Sequence, residues 1–381
     1  MRTAYSTLVH MSGRNPIQLR NLSIEALEIP FKSAFQHSSA ERSTSETILV
    51  TAETEDGVRG IGEGCPREYV TGETLSSSHV FFNEWVSDFY EIGSVEDLRT
   101  WIASHEDIID QNPAAFCSIE LALLYAMAEE EGQSLEALLG IPELSGEFQF
   151  TGVLGASNPE SFRKQLGQYL DFGFRDFKVK IFGEPEVDHV NITLLKECAQ
   201  SEVRVRFDAN NLWEDKAAAI SYLAEMDYPI FALEEPLEVR AYDSCRKICL
   251  ALRTSIILDE SFLKIRDFDS IEVDAKNWII NLRVSKMGGI IRSLAIAERA
   301  SKLGARLIIG AQVGETSLLT RAALAVANNH RNQVIAQEGA FGTHLLKWDI
   351  CDPPIMFGLA GVLKASDVWA CPKIRIKVFP E

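Results

Sequence analysis

Between residues 177 and 289 the chain alternates short apolar runs with charged residues at nearly even intervals. The runs are Phe177-Lys178-Val179-Lys180-Ile181, Val205-Arg206-Phe207-Asp208-Ala209-Asn210, Phe231-Ala232-Leu233-Glu234-Glu235-Pro236, Ile256-Ile257-Leu258-Asp259-Glu260-Ser261 and Val284-Ser285-Lys286-Met287-Gly288-Gly289. Steps of 28, 26, 25 and 27 positions separate Lys180, Asp208, Glu234, Asp259 and Lys286. Each step has room for one strand, one helix and two loops, which predicts consecutive βα units. In a closed barrel of such units every strand points its C-terminal end to the same face. Five consecutive strand ends would then deliver Lys, Asp, Glu, Asp and Lys to one mouth.

The pattern before this region is different. Leu19–Pro30, Thr47–Thr54 and Gly60–Gly64 read as strands of an antiparallel meander, with a turn at Glu55-Asp56-Gly57. Two polar loops are predicted, at 31–39 and 65–74. Residues 75–139 read as helical, and Ala114–Ala128 is small or apolar on most faces, as a well-buried helix would be. Gly140–Gly146 marks a boundary. After it come a first barrel strand at Phe148–Leu154, a helix at Pro159–Phe172, a seventh strand at Arg306–Ala311, a helix at Ser317–Ala327 and a last strand near Val334–Gly339. Strand-like Lys373–Val378 is expected to return to the N-terminal domain. The expected division is a tail at 1–17, an α+β capping domain at 18–145, a barrel at 146–348 and a returning segment at 349–381.

Composition narrows the function classes. The 381-residue chain is 46% hydrophobic and 24% charged, which is ordinary for a soluble globular protein. A formal net charge of −18 argues against a general nucleic-acid binder. The cysteines at 65, 117, 198, 245, 249, 351 and 371 form no Cys-x-x-Cys pair and read as thiols in a reducing cytoplasm. No run of about 18 apolar residues predicts a membrane span, and Met1–Pro16 reads as a loose tail with no signal-peptide pattern. A cytoplasmic homo-oligomer acting on a small carboxylate is expected, with neither nucleic acid nor membrane as partner.

The strand ends carry the chemistry. Three carboxylates converging from Asp208, Glu234 and Asp259 repel one another unless a cation sits among them. All-oxygen donors suit Mg²⁺, with Mn²⁺ able to substitute, and the lack of His or Cys at these positions disfavours zinc. Lys178 and Lys180, two apart on a strand, share a face, which in a barrel is the interior. Like-charge proximity there should lower the proton affinity of one lysine toward that of a general base. Lys286, four strands on, would face Lys180 across the mouth. A cation with one lysine on each side fits removal of the proton α to a carboxylate through an enediolate.

The ordered set Lys178-Val179-Lys180, Asp208-Ala209-Asn210, Glu234-Glu235-Pro236, Asp259-Glu260-Ser261 and Lys286-Met287-Gly288-Gly289 resembles the muconate-lactonizing-enzyme subgroup of the enolase superfamily. The resemblance spans about residues 18–381. It implies a (β/α)7β TIM-like barrel with an N-terminal α+β capping domain completed by the C-terminal tail. It also implies Mg²⁺ on Asp208, Glu234 and Asp259, an acid/base pair Lys180 and Lys286, and Lys178 on the substrate carboxylate. Glu234, not Glu235, matches the ligand position, two residues before the proline. Ala311-Gln312-Val313 lacks the histidine that the mandelate-racemase subgroup would place at the end of strand seven. The cap segments Ile29-Pro30-Phe31 and Tyr69–Thr74 are similar to those of dipeptide epimerases, whose last strand carries an Asp-x-Asp pair for the substrate ammonium. Here that strand reads Gln337-Glu338-Gly339-Ala340, with a single acid. Phe35, Tyr69, Asn210 and Glu338 are expected to contact substrate.

The expected reaction is racemisation or epimerisation of an amino-acid derivative or dipeptide by a two-lysine 1,1-proton transfer. A cycloisomerase or an o-succinylbenzoate-synthase-like lyase would share the first half-reaction. A Schiff-base aldolase using Lys180 or Lys286 would leave the three carboxylates unexplained, and a non-catalytic binding protein would leave the whole acid/base set unexplained.

Overall fold

A computed structural model describes residues 16–37, 40–198 and 203–370, and the side chains of 33–42 lie outside that description. Five strands open the chain: β1 (Leu19–Leu27), β2 (Pro30–His37), β3 (Ala40–Thr44), β4 (Thr47–Thr54) and β5 (Arg59–Gly64). β1, β4 and β5 form an antiparallel sheet in that order, and β2 pairs with β3. The stretch 31–39, expected as a polar loop, is therefore strand as far as His37, because backbone pairing across a hairpin overrides local polarity. Helices follow: α1 (Glu68–Thr71), α2 (Leu75–Tyr90), α3 (Val95–Ser104), α4 (Glu106–Ile109), α5 (Pro113–Glu130) and α6 (Leu135–Leu139). α5 is buried from Pro113 to Ala128. It lies directly on β5: a Cβ at Gly60, Gly62 or Gly64 would overlap the carbonyl oxygen of Ala122, Ser118 or Ala114. Strand glycines at every second position thus meet small helix residues at every fourth, and the backbones touch.

The remaining strands are β6 (Glu147–Gln149), β7 (Gly152–Leu154), β8 (Asp176–Lys180), β9 (Arg204–Asp208), β10 (Ala232–Glu234), β11 (Ser255–Leu258), β12 (Trp278–Leu282), β13 (Arg306–Ile309), β14 (Val334–Gln337) and β15 (Val362–Lys364). β7 to β14 pair in sequence order, all parallel. A parallel bridge between Phe150 and Gln337, with Thr151 N–H donating to Gln337 O at 2.8 Å, joins the two ends into a barrel. α7 (Pro159–Asp171), α8 (Pro185–Cys198), α9 (Lys216–Glu225), α10 (Tyr242–Leu252), α11 (Ile290–Leu303) and α12 (Ser317–Asn329) make the crossovers, and two 3-10 segments, Ile265–Ser270 and Glu272–Asn277, connect β11 to β12. The result is a (β/α)7β barrel behind an N-terminal α+β domain. Ala232, Ile257, Ile279, Ile308 and Ala336 pack one another inside it, one inward position below the strand ends.

Two further expectations are corrected, and a third lies partly outside the described residues. The single strand expected at Phe148–Leu154 is two, because β6 leaves the barrel to pair antiparallel with β15. The run ending at Lys286 is not a strand end: β12 stops at Leu282, and Met287 N–H closes a turn on Arg283 O at 3.0 Å. The C-terminal segment, where described, lies on β6 and α12, with Arg321 Nε donating to Trp369 O; Lys373–Val378 falls outside the described residues. Among the described residues no helix is long and apolar enough to cross a membrane, and the six described cysteines are free thiols.

Candidate active site

Parallel register builds the site. Lys180 pairs with Asp208, Asp208 with Glu234, and Glu234 with Ile257, so three charged residues stand at one level on consecutive strands. Asp259 lies two residues beyond Ile257, just past β11. In β8 the outward Phe177 and Val179 are buried under helices, and Lys178 and Lys180 point inward, as the two-residue period requires. A cavity of about 750 Å³ opens at these strand ends, within the range of small-molecule sites. Lys178, Lys180, Asp208, Asn210, Asp259 and Glu338 line it, and so does Tyr69, contributed by α1 of the N-terminal domain.

The ammonium of Lys178 is shared among acids. Its Nζ lies 2.9 Å from both oxygens of Glu234, 3.1 Å from Asp208 Oδ2 and 3.4 Å from Glu338 Oε2. Burial pulls its proton affinity down, but Asp208, Glu234 and Glu338 together hold it above the ordinary lysine range. Lys180 is only half-buried, and burial followed by the charge of Lys178 lowers its proton affinity against the pull of Asp208. The ammonium of Lys180 sits 5.6 Å from the centre of the Phe182 ring. On the other side Lys286 Nζ donates to Asp259 O at 2.7 Å and Asp259 Oδ1 at 2.8 Å, and Arg283 binds Asp259 Oδ2. Burial and then Arg283 push the Lys286 ammonium down to about 7.

Adjacent acids at the end of β10 divide their work. Glu234 turns into the barrel, where Asn281 Nδ2 donates to it at 3.1 Å. Glu235, held at φ 38, turns away and accepts from Asp259 N–H at 2.7 Å, Ser261 N–H at 2.8 Å and Ser261 Oγ at 2.8 Å. Glu235 therefore shapes the loop that presents Asp259.

Of the residues singled out in the sequence, Lys178, Lys180, Asp208, Asn210, Asp259, Tyr69 and Glu338 meet in one cavity wall. Glu234 lies just behind it. Lys286 is almost wholly buried behind Asp259 and outside the wall. Phe35 belongs to β2 by its backbone, and its side chain lies outside the described residues. Glu338 is already engaged, accepting from Lys178 and from Arg206 Nη2 at 3.4 Å. Sequence reasoning passed over Arg206, Arg283 and Glu260. Arg206 was within reach, since it precedes Asp208 by two in a strand and so shares its inward face. Arg283 and Glu260 line the cavity from loops, where no period marks them. Burial, then the charges of Glu235 and Asp208, raises the Glu260 carboxyl to about 7.

Among the described residues no three His, Cys, Asp or Glu side chains are grouped closely enough to hold a metal ion. Lys178 balances Asp208 and Glu234, while Lys286 and Arg283 balance Asp259. The donor chemistry nonetheless fits a hard divalent cation. All three are carboxylates, and they stand at or just past the ends of three adjacent strands at a cavity.

The sequence profile of the family described as Enolase C-terminal domain-like matches residues 161–362. A hydrophobic dipeptide epimerase of Enterococcus faecalis is 25% identical over 321 residues, which are 83% of this chain and 88% of the epimerase. An N-succinyl-L-Arg/Lys racemase of Bacillus cereus is 24% identical over 323 residues, 82% of this chain and 84% of the racemase. The crystal structure of a dipeptide epimerase from Cytophaga hutchinsonii, complexed with Mg and D-Ala-L-Val, superposes with a TM-score of 0.80 at 22% identity, covering 96% of this chain and 97% of that one.

Proposed function

For a chain that belongs to the Enolase C-terminal domain-like family, and so to the enolase superfamily of enzymes, we propose a racemase or epimerase that moves the proton on the carbon α to the carboxylate of an amino-acid derivative. The observation that carries this reading is the single level at which β8, β9 and β10 place Lys180 and Asp208 on the cavity wall and Glu234 just behind it, with Lys286 on the far side of Asp259.

Lys180, whose proton affinity burial and Lys178 lower, is the base on one face of the α-carbon. Lys286 serves the other face. The ammonium of Lys178, kept protonated by its acids, binds the substrate carboxylate and meets the negative charge that develops there as the proton leaves. Asp208, Glu234 and Asp259 would hold Mg²⁺, or Mn²⁺ in its place, which supplies further positive charge to that carboxylate. The single acid of the last strand, Glu338, is bound to Lys178 and Arg206, so a free substrate ammonium would find no unengaged carboxylate there. A blocked amine suits that wall. Tyr169, Phe174, Phe341 and Phe357 also line the cavity and favour an apolar substituent.

The test is a screen of N-acylamino acids, dipeptides and betaines in D₂O, with Mg²⁺ and with a chelator. N-acylamino acids should gain deuterium at the α-carbon only with the metal, and both stereoisomers should interconvert. No uptake at any α-carbon, or undiminished uptake in a chelated preparation, would overturn the reading. One observation favours a second reading: Lys286 lies outside the cavity wall. A cycloisomerase or an o-succinylbenzoate-synthase-like lyase needs one lysine to carry the proton, with the other giving electrostatic help. Product formation without isomer interconversion would select it.

A further inference from the structure

Asp188 and Glu120 are buried carboxylates outside the reacting groups, each bonded to backbone amides shortly after one of the lysines. We propose that Asp188 and Glu120 are positioning residues, each setting one of the two lysines: Asp188 sets Lys180 and Glu120 sets Lys286. The inference rests on the reading of these lysines as proton carriers, and it adds to that reading the groups that aim them.

Asp188, on the first turn of α8, is almost wholly buried. Its Oδ1 accepts from Phe182 N–H at 3.1 Å, and its Oδ2 accepts from Gly183 N–H at 2.9 Å and from the Tyr222 hydroxyl at 2.6 Å. These amides lie two and three residues beyond Lys180. The ring of Phe182, whose backbone Asp188 holds, lies beneath the Lys180 ammonium. The carboxylate therefore fixes the turn that ends β8 and the aromatic face against which Lys180 rests.

Glu120, in the middle of α5, is fully buried and reaches from the N-terminal domain to the barrel. Its two oxygens accept from Ile290 N–H and Ile291 N–H, the first amides of α11. Those amides follow Lys286 by four and five residues. The approach is so close that a Cβ at Gly289, which has φ 99, would overlap the Glu120 carboxylate. The second glycine of Lys286-Met287-Gly288-Gly289 thus leaves room for an acid from the other domain. The same turn is held at two further points by that domain. Ser285 Oγ accepts from Cys65 N–H at 2.8 Å, and Arg292, paired with Asp110, donates to Met287 O at 3.0 Å. A catalytic geometry tolerates little displacement, and misplacement by about 1 Å can cost on the order of 10²-fold. Each carboxylate holds two amides, whereas an amide side chain offers one acceptor oxygen and can hold only one well.

The experiment compares Asp188→Asn and Glu120→Gln with Lys180→Ala and Lys286→Ala. The probes are N-acetyl-L-phenylalanine and N-acetyl-D-phenylalanine in D₂O with Mg²⁺, and uptake at the α-carbon is measured for each isomer. Asp188→Asn should lower exchange about 10- to 100-fold for the isomer that Lys180→Ala loses, and change the other less than about twofold. Glu120→Gln should give the mirror pattern, the isomer lost in Lys286→Ala. A merely structural role would depress both isomers together, and that result, or unchanged exchange, overturns the proposal. If the lysine variants themselves fail to separate the isomers, the two-lysine reading falls instead. Amide hydrogen exchange by mass spectrometry then decides the positioning without substrate. Glu120→Gln should deprotect 287–292 only and Asp188→Asn 181–184 only, and unaltered protection refutes the assignment. Should Glu120→Gln not fold, Asp110→Asn, which frees Arg292 from the cap, reports on the same turn.

Discussion

Lys178 and Lys180 stand two residues apart on one strand, and their surroundings drive their proton affinities in opposite directions. Lys178 touches three carboxylates and is held above the ordinary range; Lys180 is half-buried beside that ammonium and falls below it. The difference predicts different losses. Lys178→Ala should impair both stereoisomers together, and Lys180→Ala should abolish α-proton exchange for one, by roughly 10²- to 10⁴-fold for a positioned base. Isomer-resolved deuterium uptake measures both. Lys286 adds a pH signature. Its ammonium, pushed down to about 7, must be neutral to act as a base. The isomer it deprotonates should therefore exchange faster as pH rises through about 7 and level off above it, and a flat profile for both isomers would count against Lys286. The candidate residues themselves were legible in the sequence because charged residues ending apolar runs are costly without function or partners. Their pairing was not: nothing in the spacing says that Lys178 is shared among Asp208, Glu234 and Glu338, or that Arg283 shares Asp259 with Lys286.

At the scale of elements, the contact between β5 and α5 is the most exacting. Gly60, Gly62 and Gly64 face α5 so closely that added methyl groups have no space. Gly62→Ala should destabilise the protein by about 1–3 kcal/mol through overpacking, read as a lower denaturation midpoint, while substitution of Gly57, whose Cβ would meet nothing within 4 Å, should not crowd its surroundings. Most elements followed from periodicity: the buried helix α5, the β4–β5 turn and the repeated βα steps. The departures arise where backbone pairing, not composition, sets strand ends: β6 was drawn out of the barrel by the distant β15, β12 ended before Arg283 where a local turn closes, and β2 found β3 across a short hairpin where composition suggested a loop.

At the scale of the molecule, buried glutamates join the two layers. Glu120 holds α11, and Glu63 of β5 holds α12 by accepting from Thr316 N–H at 3.0 Å and Thr316 Oγ1 at 2.7 Å. Burial, offset in part by those bonds, raises the Glu63 carboxyl to about 8, and burial raises the Glu120 carboxyl against the pull of the Ile290 and Ile291 amides and Arg292. A group whose folded pKa lies above its unfolded one stabilises fully below the unfolded value, near 4.5, and that stability is lost as pH rises through the folded pKa. Thermal stability should therefore fall between about pH 5 and 8, and Glu63→Gln should flatten the fall; an unchanged slope in that variant would remove Glu63 as its source. The sequence by itself determined the βα repeat, the barrel, the N-terminal α+β layer and the residues that crowd one mouth, because periodicity and strand-end charge are local properties written in consecutive positions. Only the tertiary structure decided which cations balance which acids, that Lys286 sits behind Asp259, and that Glu120 crosses between layers to hold the turn after it. Those are contacts between residues up to 171 positions apart, set by packing and burial, which no local pattern records.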